Sequence, residues 1–402
     1  MTDATRRRRW YRRMSLAMIA TAALGLSACA GGDDDGGESS GGGSAEQGPI
    51  EFGYLNALTG DFAVAGKPEL QGVQLAVRHI NEAGGVCGRQ LELAATQDDQ
   101  GQANLAVAGL RKLVQQENQK IIIGPGITPP GLATAPVAEQ LKVWFMLETA
   151  QREPWEGREY VFSNISPQDT YSPLIADYLE QQMEGGGKEV AIVYANIPYG
   201  QAGQKLLLAE AEERGWDVTV NEGYDPSQFK FTSQAQKIAQ SKPDGVLMWG
   251  AATPGDAQVL KQIRQSGYDG PMAGDVALSL PFVPEIAGQA AETIVAPSQL
   301  NFVDPDAATK KFLDAYQSAY DETPTFLPGA AYDAVHIIGE AVKKNDCKTD
   351  PKALAAAMDG LDYRGVTGEF KYTKEYRGGP QADSFRPVTF RDGEYAVPDD
   401  VK

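Results

Sequence analysis

The 402-residue chain predicts an α/β fold of two similar lobes, each built on a mainly parallel sheet. Three observations carry that expectation. Short apolar strands alternate with segments of helical period, the rhythm runs to about residue 146, and it restarts after Pro167. Ile121-Ile122-Ile123 shows no polar alternation, as expected of a strand covered on both faces. Repeated βα units require right-handed crossovers and helices on both faces of the sheet, with ligands at the carboxyl ends of the strands.

Taken in order, Ile50–Leu55 reads as a strand, and Leu70, Val73, Val77 and Ile80 recur at helical spacing until Gly84-Gly85 stops the helix. Leu91 and Leu93 mark a second strand, 103–116 a helix, and 121–123 a third strand. Thr128-Pro129-Pro130 then opens a helix with a hydroxyl cap and prolines in its first turn, and 143–146 is the next strand. The second run gives strands at 189–194, 216–220, 244–249 and near Met272, with helices from 200, at 228–241 and at 255–266. Helices at 306–321 and 329–344 come too late for a simple tandem. The chain is therefore expected to return to a lobe already started, and several crossings between lobes make a hinge.

The amino terminus has the grammar of an export signal. Six arginines between Arg6 and Arg13 precede the apolar run Met14–Leu26, which is too short to span a bilayer as a mature helix. Leu26-Ser27-Ala28-Cys29 resembles the lipobox of bacterial lipoproteins, which implies cleavage before Cys29 and acylation of its thiol. Two acyl chains on one thioether-linked glycerol suffice for lasting anchoring. Residues 30–48 are nearly all Gly, Ser, Asp, Glu and Gln and are expected to form a disordered tether. The expected location is the outer face of the cytoplasmic membrane.

Removing the six arginines and one aspartate of residues 1–29 from the chain's 36 basic and 54 acidic residues leaves 30 and 53, net −23. That balance disfavours nucleic acid and anionic membrane surfaces. No later segment is long and apolar enough to cross a bilayer, so any pore must belong to another chain. Cys87 and Cys347 are an even pair in an exported body, either a disulfide or two buried thiols.

Enzyme signatures are missing. His79 and His336 are the only histidines and lie in helical patterns without metal-spaced or nucleophile-spaced neighbours. There is no HExxH, CxxC or GxxxxGK[ST], and Gly124-Pro125-Gly126 lacks the third glycine of a dinucleotide fingerprint. The expectation is no enzyme, no cofactor and no metal. Binding has better candidates, because helix N-termini at strand ends suit a carboxylate. Thr128 and Thr149-Ala150 stand at strand ends of the first run; Tyr199, Trp249 and Asp275 stand at strand ends of the second and could face them.

"IEFGYLNALTGDFAVAGKPELQGVQLAVRHINEAGGVCGRQLEL", "IIIGPGIT", "YVFSNISPQD", "VAIVYANIPYGQ", "AYDAVHIIGEA" and "GVTGEFKY" together resemble the leucine/isoleucine/valine-binding proteins, over essentially all of residues 49–395. These are type I periplasmic binding proteins that deliver ligand to ABC importers. The resemblance implies two Rossmann-like lobes joined by a three-strand hinge, with lobe 1 over 49–166 and 298–365 and lobe 2 over 167–297 and 366–402. It also implies a monomer that closes over a small molecule, most simply a branched-chain or other α-amino acid, and is read by a permease with ATPase subunits. The same lobes also serve sensory receptors and binders of amides or aromatic acids.

Carried over by position, Thr128 resembles the residue that binds the ligand carboxylate through hydroxyl and N–H. Thr149, Ala150 and Gln151 resemble the segment that holds carboxylate and ammonium. Tyr199 resembles the aromatic that covers the ligand, beside Trp249, and Asp275 the acidic partner of the ammonium. The chain departs from the family at Ile127, Gln151, Ala252-Thr253 and Glu148. A Glu148 that points inward disfavours an anionic ligand; one that points outward changes nothing.

Overall fold

The computed structural model describes residues 48–183 and 185–401. The signal segment 1–29 with Cys29, and the tether as far as Gln47, lie outside the described residues. In chain order the first part gives β1 (Ile50–Asn56), α1 (Ala63–Glu82), β2 (Leu91–Asp98), α2 (Ala103–Gln115), β3 (Ile121–Ile123), α3 (Thr128–Leu141), β4 (Trp144–Leu147) and β5 (Val161–Ser163). Its five strands form one parallel sheet in the order β2-β1-β3-β4-β5. β1, β3 and β4 are buried almost throughout, which is why they read as apolar runs. β5 has only three residues and carries no periodicity of its own, so sequence pattern did not reveal it.

The chain then gives α4 (Gln168–Gln182), β6 (Glu189–Ala195), α5 (Pro198–Arg214), β7 (Asp217–Tyr224), α6 (Thr232–Ser241), β8 (Gly245–Trp249), α7 (Pro254–Gln265), β9 (Met272–Gly274), α8 (Phe282–Ala287) and β10 (Ile294–Ser298). It continues through α9 (Ala307–Tyr320), α10 (Phe326–Lys344), α11 (Pro351–Ala357), β11 (Leu361–Arg364), β12 (Glu369–Tyr372), β13 (Arg386–Arg391) and β14 (Glu394–Ala396). The second sheet has the order β14-β13-β10-β9-β8-β6-β7. It is parallel from β10 to β7 and ends in the antiparallel pairs β10–β13 and β13–β14.

Local chemistry sets the helix ends. α3 and α5 begin with proline in the first turn, where a missing N–H costs no hydrogen bond, and α5 ends at Gly215 in the left-handed region. α7 opens with a capping box between Thr253 and Asp256. At α3 the expected hydroxyl cap is not what forms: Ile127 occupies the cap position, and Thr128 is the first helical residue. Gly124, at φ +96°, joins β3 to this helix, and a Cβ there would stand 1.8 Å from the Leu55 carbonyl oxygen.

The late helices return to the first sheet. Val335, Ile338 and Val342 of α10 share a core with Val73 and Ile80 of α1 and with Phe52 and Tyr54 of β1. On α9, Tyr316 and Tyr320 donate from their hydroxyls to the Gln71 side chain and carbonyl of α1 (2.5 and 2.9 Å). Leu361, Phe370 and Tyr372 bury the β11–β12 hairpin in that same core, and the Tyr372 hydroxyl donates to the Ser163 carbonyl (3.0 Å). The last passage to the second sheet therefore falls between Tyr372 and Arg386, later than the residue 366 expected from the sequence.

Three segments thus pass between the sheets, after β5, after β10 and after β12. They touch. The Ser166 hydroxyl donates to the Pro380 carbonyl (2.5 Å) and accepts from the Gln299 amide (2.8 Å), and the Gly379 N–H donates to Ile165 (3.1 Å). Cys87, just beyond α1, is joined to Cys347, just beyond α10, by a disulfide with a Cα–Cα distance of 6.0 Å. Among the described residues no helix is long and apolar enough to cross a membrane, and no group of three or more His, Cys, Asp or Glu is placed to hold a metal ion.

Candidate functional site

The carboxyl ends of the two sheets face each other across a cavity of about 200 Å³. From the first sheet come the start of α1, the β3–α3 turn, the residues after β4 and the first turn of α10; from the second come the residues after β6, β8 and β9. Most of the lining is apolar, including Phe62, Ile127, Ile197, Val276, Phe326 and Leu327. Its polar side chains are Glu69, Thr128, Glu148 and Tyr199, and it contains no lysine, arginine or histidine.

On the first wall the organising residue is Asn56, the last of β1 and fully buried. Its side-chain oxygen accepts from the Ala57 and Gly126 N–H groups (2.8 and 3.2 Å), which fixes the amide's orientation. The nitrogen then points at three acceptors: the Tyr54 hydroxyl (2.8 Å), Glu69 Oε2 (2.6 Å) and Glu148 Oε2 (3.1 Å). Two hydrogens serve three oxygens. Tyr54 eases the shortage by donating to Glu148 Oε2 (3.2 Å), and the Asn164 amide also favours the charged form of the Glu148 carboxyl. The two glutamates are 2% and 3% exposed, so both carboxyls are effectively out of water. Burial pushes Glu148 up to about 7, and burial together with the nearby Glu148 charge raises Glu69 well above the usual carboxylate range.

On the second wall Tyr199 sits in the first turn of α5 and reaches toward β9. Its hydroxyl donates to Asp275 Oδ2 (2.8 Å) and pairs with the Tyr171 hydroxyl (2.9 Å), while Asp275 Oδ1 accepts from the Gly250 N–H (2.8 Å). Trp249 lies behind, stacked on Tyr171 with ring centroids 5.6 Å apart and tilted against Tyr199 at 6.1 Å. Gly203 leaves room for that indole, since a Cβ there would come within 2.0 Å of it. Asp275 is fully buried, and burial pushes its carboxyl up to about 7 against the pull of the Gly250 and Tyr199 hydrogen bonds.

Of the residues singled out from the sequence, Thr128, Ala150 and Tyr199 line the cavity. Thr149, Gln151, Trp249 and Asp275 do not. Thr149 is buried against Gly131, with its carbonyl accepting from Ser163 Oγ (2.9 Å). Trp249 and Asp275 support Tyr199 from behind. Glu148 points inward. Glu69 was missed, although a signal existed: it stands four residues before Val73, on the apolar stripe of α1, and a carboxylate on a buried stripe needs a reason. Asn56 carried no such signal, because its role depends on where β1 ends relative to β4.

An α/β chain whose two parallel sheets meet end to end around one cavity has the architecture of a binding protein of the type I periplasmic class. A family model described as "Periplasmic binding protein" matches residues 49–390, and the chain belongs to that family. Among curated proteins it is 24% identical over 328 residues to the leucine-, isoleucine-, valine-, threonine- and alanine-binding protein of Pseudomonas aeruginosa, covering 81% of this chain and 86% of that one. Among solved structures it resembles the branched-chain amino acid transporter substrate-binding protein LivJ of Streptococcus pneumoniae in complex with isoleucine. The TM-score is 0.77 at 22% identity, over 87% of this chain and 98% of that chain. A solute-binding protein of an ABC transporter from Rhodopseudomonas palustris, in complex with 3,4-dihydroxybenzoic acid, matches with TM-score 0.77 at 24% identity, over 88% and 98%.

Proposed function

We propose that this chain is the extracytoplasmic substrate-binding component of an ABC importer. It captures one small molecule between two lobes and presents the closed form to a permease whose ATPases are separate chains. The observation that carries the reading is the cavity itself: about 200 Å³, fed by the carboxyl ends of both sheets and mostly apolar, a size and character suited to one amino-acid-sized ligand. The relatives with named ligands, small amino acids in two cases and a dihydroxybenzoic acid in the third, have in common small size and a carboxylic acid group.

In this reading residues 49–166 and 299–372 form lobe 1, residues 167–298 and 386–401 form lobe 2, and the three crossings are the hinge. Thr128, Ala150 and Tyr199 meet the ligand, and Thr149, Gln151, Trp249 and Asp275 position the walls. A monomer held by acyl chains on Cys29 would stay near its permease. The lining offers no nucleophile–base pair, which favours capture over catalysis. The test is loss of uptake of the stabilising ligand on deletion of the gene. Uptake that survives while ligand-dependent signalling disappears would assign the protein to sensing instead.

A further inference from the structure

Building on the binding-protein reading, we propose that the ligand is a two-part molecule. A compact head fills the cavity, and an apolar extension, uncharged or basic at its far end, runs into a second chamber beside it. That chamber has a volume of about 500 Å³ against the cavity's 200 Å³. Its first wall is the opening of α1 and the turn at residues 321–325 between α9 and α10; its second is residues 280–282 with Glu285 of α8. Ala65, Ala252 and Leu327 line both spaces, so the two meet there, past two methyl groups and one leucine.

The meeting point is built with small side chains. Ala252 has φ +58°, a backbone region that favours glycine and is costly for a residue with a Cβ. It is held there from both sides. Asp256, fully buried and accepting from the Tyr224 hydroxyl (2.6 Å), also accepts from the N–H groups of Ala251 and Thr253 (3.0 and 2.9 Å). The chamber's wall is apolar where the passage enters it. Val64, in the first turn of α1, is 50% exposed and is one of four large apolar side chains left exposed among the described residues. It lines the chamber together with Pro68, Leu280 and Phe282, so an apolar extension would take this surface out of water. Charge then sets the far end. Glu285, Asp321 and Glu322 line the chamber and are exposed, with no lysine, arginine or histidine beside them, so a carboxylate there would meet only like charge.

The experiment compares lengths at two heads. The full chain, unfolded and refolded to strip carried ligand, is titrated by calorimetry with leucine and leucyl-leucine, and with isovaleramide and N-isoamylisovaleramide. Each longer molecule adds to its partner a second body of similar size, and leucyl-leucine can enter with its ammonium outward. In at least one pair the longer molecule is expected to bind at least tenfold tighter than the shorter. Val64→Asp puts a charge on the apolar wall at a helix position that suits an acid, and is expected to remove that preference. Should this variant not fold, the wild-type comparison decides. Shorter molecules that bind as tightly as the longer in both pairs overturn the inference and leave the binding-protein reading intact, as does a preference that survives Val64→Asp. A chain that binds none of the four overturns the inference too. The broader reading falls only if, in addition, no small molecule is released from the freshly purified protein on denaturation.

Discussion

At the residue scale the site is built by close approaches that few substitutions tolerate. Gly203 is the sharpest case, because a methyl group there would overlap the Trp249 indole, which is also stacked against Tyr171. Gly203→Ala should destabilise the chain by about 1–3 kcal/mol in urea denaturation, the usual range for overpacking a core. It should also weaken ligand binding, since Trp249 backs Tyr199; unchanged stability would mean that the indole has room to move. Asn56 is the counterpart on the first wall. Asn56→Ala removes the donor shared by Tyr54, Glu69 and Glu148 and should cost at least ~1–3 kcal/mol, the penalty for one buried partner left unmatched. Thr128, Ala150 and Tyr199 were readable because each sits just past a strand of obvious apolar pattern. Glu148 was readable as a departure but its direction was not, because a residue just past a four-residue strand takes its facing from the register of β4 on β3 and β5.

At the element scale, strands and helices with strong period were legible almost to the residue: α10 spans Phe326–Lys344 against an expected 329–344. Elements that owe their existence to neighbours were not. β5 is a strand because β4 offers it hydrogen bonds, and the β11–β12 hairpin belongs to the first sheet because Phe370 and Tyr372 find that core. One hydroxyl touches all three crossings. Ser166→Ala would strand the Gln299 amide and the Pro380 carbonyl, both within reach of that oxygen, and should cost about 1–3 kcal/mol in urea denaturation. The disulfide acts at the other end of the first sheet's helices, closing a loop of 260 residues. Replacing Cys87 and Cys347 together by serine should lower stability by about 2–5 kcal/mol, checked against the oxidised parent in the same denaturant series. Equal midpoints for the two would show that α1 and α10 hold together by packing alone.

At the scale of the whole molecule the buried acids set how stability depends on pH. Glu148, Asp275 and Asp333 are fully buried with carboxyls pushed up to about 7, Asp99 to about 6, and Glu69 higher than its ordinary range, each chiefly through burial. Asp333 shows that hydrogen bonds do not cancel this. It accepts from the Val366 and Thr367 N–H groups (both 2.9 Å) and the Thr367 hydroxyl (2.6 Å), tying α10 to the β11–β12 turn, yet remains raised. A carboxyl raised in the folded state holds a proton that the unfolded chain has already released between about pH 4 and 7. Its stabilisation is therefore complete below the unfolded value and is lost as pH rises through the folded one. His336 acts in the opposite limb: burial lowers it to about 4, so the unfolded chain takes up its proton first and stability falls as pH drops below about 6.5. Several carboxyls against two lowered histidines predict a ligand-free melting temperature that is highest at about pH 4 and declines toward pH 8, each deep carboxyl contributing on the order of a few kcal/mol. Glu148→Gln should flatten the alkaline decline, because the amide has no proton to lose. A melting temperature that rises steadily from pH 5 to pH 8 in the ligand-free chain would mean that these carboxyls are ionised and compensated within the fold.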